Sequence, residues 1–312
     1  MIVAGAIAAG GALAQSYPTK PIRVLVAQAA GGPTDVVTRI YAARMSELLG
    51  QQVVVDNRPG AGGSVAGDLV ARAPADGYTL CAAANGTVAI APHFLKLSYS
   101  VTKDLAPVAL IGNSPLALMV YPALPATSVK ELIALAKARP GTINFGSSGQ
   151  AGTGHLAGEM LKTMAGINIT HVPYKGAAPA LIAVAAGEVQ MLISGLSSGF
   201  PFIRSRQVRA IAVTSPARLP ALPDVPAVAE TVPGYEAGSW YAVLTRAGTP
   251  RGIVDRLNQD SIKTVNTPDI QSKLIAAGVD PEPLTPEQLG RKIREETERW
   301  GKVVKAAGVK AQ

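Results

Sequence analysis

Ile22–Gln28 reads IRVLVAQ and runs straight into Ala29-Ala30-Gly31-Gly32-Pro33-Thr34-Asp35. The first seven residues form a short β-rich run without polar alternation, as in a strand covered on both faces. Two glycines and a proline stop it. A helix over Thr34–Leu49 then aligns Val37, Ile40, Tyr41 and Leu48 on one stripe, and Gly50 ends it. The same unit recurs outward: strand Gln52–Asp56, glycine turn Asn57–Gly63, helix Ser64–Arg72, strand Tyr78–Ala84. This βαβαβ order implies a largely parallel sheet with helices on both sides.

Pro107–Val120 holds two apolar runs split by Gly112-Asn113-Ser114-Pro115, which reads as a crossover into a second α/β unit. That unit carries helices at Ser128–Arg139, Gly154–Ala165 and Ala177–Ala186. Its strands are Ile143–Gly146, Ile169–Val172, Val189–Ser194 and Arg209–Thr214. Ser215–Gly238 is a long surface connection, and Ser239–Leu244 is a strand returning to the first unit. Helices at Pro250–Asn266, Pro268–Ala277 and Pro286–Ala307 finish the chain. The expected fold class is therefore α/β in two lobes, residues 17–113 plus 239–312 and residues 114–238. Their cleft is where such sheets bind ligands.

Of 312 residues, 48% are hydrophobic, too many for a disordered chain, and Cys81 alone cannot build a disulfide scaffold. Cys81 falls in an apolar strand and reads as an inert core residue. Twenty-nine Lys and Arg against 21 Asp and Glu leave a net charge of +8, which favours anionic partners. Aromatic residues at 4% argue against stacking on single-stranded nucleic acid, so no nucleic-acid partner is expected. Residues 1–14 (MIVAGAIAAGGALA) form an apolar run ending in Ala12-Leu13-Ala14, which fits a signal peptide cleaved near Gln15. No Lys or Arg precedes that run. It is shorter than the ~20 residues of a membrane-spanning helix, and it points to export into a periplasm, where a lone thiol is at home.

Four loops could carry chemistry. In Gly31-Gly32-Pro33-Thr34-Asp35, glycines let a ligand approach and the helix start offers free amides, suited to a carboxylate. Ser147-Ser148-Gly149-Gln150-Ala151-Gly152-Thr153-Gly154 repeats the arrangement with neutral donors, and His155 follows in the first helical turn as a neutral ring. Asn57–Gly63 lacks the third glycine of a dinucleotide loop and reads as a tight turn. Gly195-Leu196-Ser197-Ser198-Gly199 matches G-x-S-x-G and raises a serine hydrolase using Ser197 as the alternative function. In that fold the histidine follows the serine, whereas His93, His155 and His171 all precede Ser197. Neither metal-ligand spacing nor a phosphate loop occurs, so no metal and no cofactor is expected. The chain reads as a binder and not an enzyme.

Six blocks in order carry a family resemblance: Tyr17–Arg23 (YPTKPIR), Gly31–Asp35, Asn57–Gly63, Asp76–Leu80 (DGYTL), His171–Gly176 (HVPYKG) and Arg209–Thr214 (RAIAVT). The chain resembles the Bug family of periplasmic solute-binding proteins, the TctC-like receptors of tripartite tricarboxylate transporters. The resemblance implies a type II, Venus-flytrap fold and capture of a small carboxylate: a di- or tricarboxylate, an acidic amino acid or an aromatic acid. It also implies a monomer and a tripartite tricarboxylate transporter membrane component as partner. The ligand-binding residues it points to are Ala30, Gly31, Gly32, Thr34 and Asp35 in one loop and Ser147, Ser148, Gly149, Thr153 and His155 in the other. Asn85 and Thr87 lie in a third segment. Ser194 stands where many relatives carry an acid suited to an ammonium group, which disfavours amino-acid ligands. The expected grip is made by the amides of Gly31, Gly32 and Thr34, facing Ser147, Ser148, Gly149 and Thr153.

Overall fold

A computed structural model describes residues 17–150 and 152–306, so the proposed leader at 1–14 lies outside the described residues. The first half runs β1 (Ile22–Val26), α1 (Pro33–Leu49), β2 (Val53–Asn57), α2 (Ser64–Ala71), β3 (Thr79–Ala84), α3 (Val101–Asp104) and β4 (Leu105–Val120). Next come α4 (Val129–Ala138), β5 (Asn144–Ser147), α5 (Thr153–Ala165), β6 (Thr170–Pro173), α6 (Ala177–Ala186), β7 (Met191–Gly195), α7 (Leu196–Arg204) and β8 (Arg209–Val213). The chain then continues through β9 (Gly238–Arg246), α8 (Arg251–Val265), α9 (Pro268–Ala276), β10 (Asp280–Pro281) and α10 (Pro286–Ala306).

The sheet is not largely parallel. β1 pairs parallel with β2 and β3, and β5 pairs parallel with β6 and β7, as the βα repeats require. Between those parallel groups run two antiparallel strands, β9 against β3 and β4, and β4 against β7 and β8. The crossover at Gly112–Pro115 is no turn. β4 continues as one strand of 16 residues, pairing β9 up to Pro115↔Gly238 and β7 from Leu116↔Gly195. Register shifts at Pro107/Ala109 and Leu110/Gly112 absorb its bends, and Pro107 and Pro115 cannot donate to a ladder. One strand thus belongs to both sheets, and the chain returns at Ala237–Gly238, where the Ala237 amide still bonds Thr214 of the second sheet.

Burial follows this division. α1, α8 and α9 cover one face of the first sheet with Val37, Tyr41, Met45, Leu257 and Leu274. A second core runs from Leu25 and Cys81 through Trp300 of α10 to Leu116, Ile193 and Leu156 of the second sheet, tying the lobes together from behind. α6 and α7 close the outer face of the second sheet over Met119 and Leu192. The helix Leu196–Arg204 is missing from the sequence reading because Gly199 and Pro201 interrupt its pattern. Cys81 is fully buried, and desolvation pushes its thiol up to about 12, which removes it from thiolate chemistry at neutral pH. No helix among the described residues is long and apolar enough to cross a membrane.

Candidate functional site

The strand ends of both sheets open onto one cleft of about 760 Å³. Five helices begin on its wall: α1 at Gly32, α2 at Gly63, α5 at Gly152, α6 at Gly176 and α7 at Gly195. Each of these N-caps is a glycine, which has no side chain to cap its helix, although Gln28 Oε1 reaches the first turn of α1. α4, away from the cleft, is capped normally, Ser128 accepting from the Glu131 amide. A helix start without a cap leaves amides unsatisfied and a partial positive charge exposed. Five converging starts give the cleft a positive potential built almost wholly from peptide groups. Lys175 is the only charged side chain among the described residues that line it. Phe94, Leu95, Leu116 and Ile193 add apolar wall.

The first loop is braced by charge. Buried Asp35 accepts from the Gly31 amide at 2.9 Å, from Asn57 Nδ2 at 2.9 Å and from Arg39 Nε at 3.0 Å. Burial pushes its carboxyl up, but the bonds from Arg39, Gly31 and Asn57 outweigh that and hold it below the usual range. The amides expected to hold a ligand are already engaged inside the loop. Besides Gly31, Gly32 donates to the Ala29 carbonyl at 3.1 Å and Thr34 to Gln28 Oε1 at 3.1 Å. The amides of Ala29 and Ala30, by contrast, have no acceptor among the described residues, and both residues line the cleft.

The second loop is braced without charge. Ser147 Oγ donates to the Gly149 carbonyl at 2.9 Å and accepts from the Gly149 amide at 3.2 Å. A hydroxyl has one proton, so in the 2.7 Å contact with His171 the ring Nε2–H is the donor, which assigns a neutral tautomer. His155 stacks on His171 with centroids 3.8 Å apart and planes at 14°. Desolvation holds both imidazoles well below their ordinary pKa, and Lys162 pushes the same way. The loop is also tied to α6, since Tyr174 donates to the Ser147 carbonyl and Gly176 to that of Ser148.

Where the two lobes meet, Thr153 Oγ1 donates to Asn85 Oδ1 at 3.0 Å, Ser239 Oγ donates to the same oxygen at 3.1 Å, and Asn85 Nδ2 donates to the Gly238 carbonyl. Of the residues singled out from sequence, Ala30, Gly32, Thr87, Ser148, Gly149, Thr153 and Ser194 line the cleft. Gly31, Thr34, Asp35, Asn85, Ser147 and His155 do not. Gly31 faces outward, and the other five are buried and support the wall. Sequence reasoning passed over Lys175, Gly176 and the glycine turn Gly60–Gly63 as cleft residues. The signal for the last was present in Asn57–Gly63, whose glycines at positive φ let the turn fold flat against the opening.

A receptor model of the tripartite tricarboxylate transporter family matches residues 37–309. The chain belongs to that family. Rpa4515 of R. palustris, solved with adipate, is 39% identical with a TM-score of 0.92 over 95% of this chain and 100% of its own. The periplasmic binding protein BugD is 33% identical, TM-score 0.88, over 95% of this chain and 100% of its own. MatC from Rhodopseudomonas palustris, solved with malate, is 31% identical, TM-score 0.85, over 92% and 100%. The fold is therefore that of the two-lobed binding proteins. Nothing supports the hydrolase alternative. Ser197 opens α7 beside the cleft floor, whereas His171 is bonded to Ser147, His93 to the Thr297 carbonyl, and His155 lies against His171. No group of three His, Cys, Asp or Glu that could hold a metal occurs among the described residues.

Proposed function

We propose that this protein is an exported receptor that traps a small dicarboxylate in the periplasm and hands it to the membrane component of a tripartite tricarboxylate transporter. The observation that carries this reading is the convergence of five glycine-capped helix starts on one cleft. An exposed helix start favours an anion by about 0.3–1 kcal/mol, and a charge-assisted hydrogen bond contributes about 1.5–3 kcal/mol. Two or three such bonds from each lobe are enough for tight binding without a cofactor or a covalent step. The amides of Ala29 and Ala30 would hold the acid from one side, and Ser148, Gly149 and Thr153 from the other. Adipate and malate in the related structures support a dicarboxylate, and Ser194 on the cleft wall offers no charge to an ammonium group, which supports a ligand without one.

Residues 17–113 with 239–312 would form one lobe and 114–238 the other. A ligand that touches both favours the closed arrangement differentially, which is what converts binding into closure. Titrating the purified protein with C4–C6 di- and tricarboxylates and aromatic acids should raise its melting temperature. At about 100 times Kd the gain is about 2.7 kcal/mol. Folded protein that responds to none of these acids, by melting or by calorimetry, would end the proposal.

A further inference from the structure

The cleft wall is neutral except at one point. Gly, Ala, Pro, Ser and apolar residues dominate it, and Lys175 is the single charged side chain among its described residues. The neighbouring lysine of that lobe, Lys162, is paired with Glu159. Among the described residues the lysines found in ion pairs are Lys20, Lys162, Lys263, Lys273 and Lys302, and Lys175 is not among them. It is exposed, yet its backbone is fixed. The residue before it donates to the Ser147 carbonyl at 3.0 Å and the residue after it to the Ser148 carbonyl at 3.1 Å. An unpaired cation is thus anchored to the second loop and placed at the start of α6, facing the opening.

We infer that Lys175 reads a second negative charge on the ligand, so that the receptor prefers a dianion to a monoanion of the same length; this rests on the carboxylate reading above. Peptide amides at the helix starts can hold a carboxylate through their partial charges, but a full charge to meet a second carboxylate is offered by one side chain of the described wall, Lys175. In an open, wet cleft its attraction is screened, and closure removes water and strengthens it, so the second charge is felt most in the closed state. An ammonium is a point charge without a fixed fork, which suits carboxylates at varied positions along a ligand.

The test uses matched pairs: succinate and butyrate, adipate and hexanoate, terephthalate and benzoate. Calorimetric affinities are measured for the wild type, Lys175→Met and Lys175→Arg. Because Lys175 is exposed, each variant should keep the melting temperature of the unliganded protein. Lys175→Met should shrink the preference for the diacid about tenfold while leaving the monoacid within about twofold, and Lys175→Arg should keep most of the preference. Raising the salt should reduce the wild-type preference and leave that of Lys175→Met unchanged. Equal losses for both members of a pair, or no change in their ratio, would overturn the inference while the carboxylate reading stood. A wild type that binds none of the six acids would remove both.

Discussion

The two loops proposed to grip the ligand are built on one plan and braced by opposite means. Each follows a strand, turns on glycine and opens a helix at a glycine N-cap, Gly32 in one and Gly152 in the other. Behind the first stands a carboxylate, Asp35, whose oxygens are turned away from the cleft and consumed by Gly31, Asn57 and Arg39. Behind the second stands a neutral pair of rings, His171 on Ser147 and His155 against His171. A negative charge beside an anion site is tolerable only when its own loop neutralises it. An imidazole there is tolerable only in one protonation state of the rings. The same outward surface therefore rests on supports that respond to different perturbations.

The largest expected effect separates the loops by packing. A Cβ at Gly154 would sit 2.2 Å from the Ile193 carbonyl oxygen, a backbone atom that cannot step aside, whereas at Gly32 the nearest atom is the Ala29 carbonyl at 3.1 Å. Gly154→Ala should cost about 3 kcal/mol in urea melts and Gly32→Ala about 1 kcal/mol. Equal costs would mean that α5 is not seated on β7 as described. Next, His171→Ala leaves Ser147 without its ring donor and should cost about 2 kcal/mol, with ligand affinity falling alongside because the Ser147–Gly149 turn loosens. His171→Asn or Gln, which restores a donor, should recover part of both.

Acid titration sharpens the contrast further. The folded-state pKa values of His155 and His171 lie below the ordinary 6.5, so the unfolded chain takes up protons first. Their stabilisation is complete above about pH 6.5 and is lost as the pH falls from there toward the folded values. Asp35 is depressed from 3.8, so its contribution persists until the pH drops below about 4. Urea midpoints from pH 7 to 3 should show an early loss that His171→Phe reduces and a late one that Asp35→Asn reduces. A single loss, insensitive to His171→Phe, would refute the neutral-ring support. The smallest effects concern single hydroxyls. Ser148→Ala should weaken a dicarboxylate about tenfold, the low end (about 1.5 kcal/mol) of what a hydrogen bond to a charged acceptor contributes. Thr34→Val should leave affinity unchanged and stability within about 1 kcal/mol, because its buried Oγ1 has no partner to lose. A measurable loss of affinity in Thr34→Val would return that residue to the grip.

The repeating strand–glycine–helix units were legible because each obeys a local rule: apolar strand, conformationally free turn, amphipathic helix. Both gripping loops emerged from that grammar before any contact was known. What the grammar hid is non-local. The pairing of Leu105–Pro115 depends on β9, more than a hundred residues later, that of Leu116–Val120 on β7 and β8, and Gly112–Pro115 looked like a break because locally it is one. Whether an amide at a helix start is free depends on side chains such as Gln28 and Asp35 folding back, which spacing does not reveal. Lys175 was quoted as part of a family block and overlooked as a cleft residue, because an isolated lysine in sequence looks like any solvated one.

A hold made from main-chain amides has a consequence for how such a receptor can change. Substituting the side chain at Ala29 or Ala30 leaves the peptide N–H where it was, and of the common residues only proline deletes it. Mutational drift around the opening can therefore alter the shape of the cargo admitted, through positions such as Phe94, Leu95 and Ile193, while the ability to seize an acid is inherited intact.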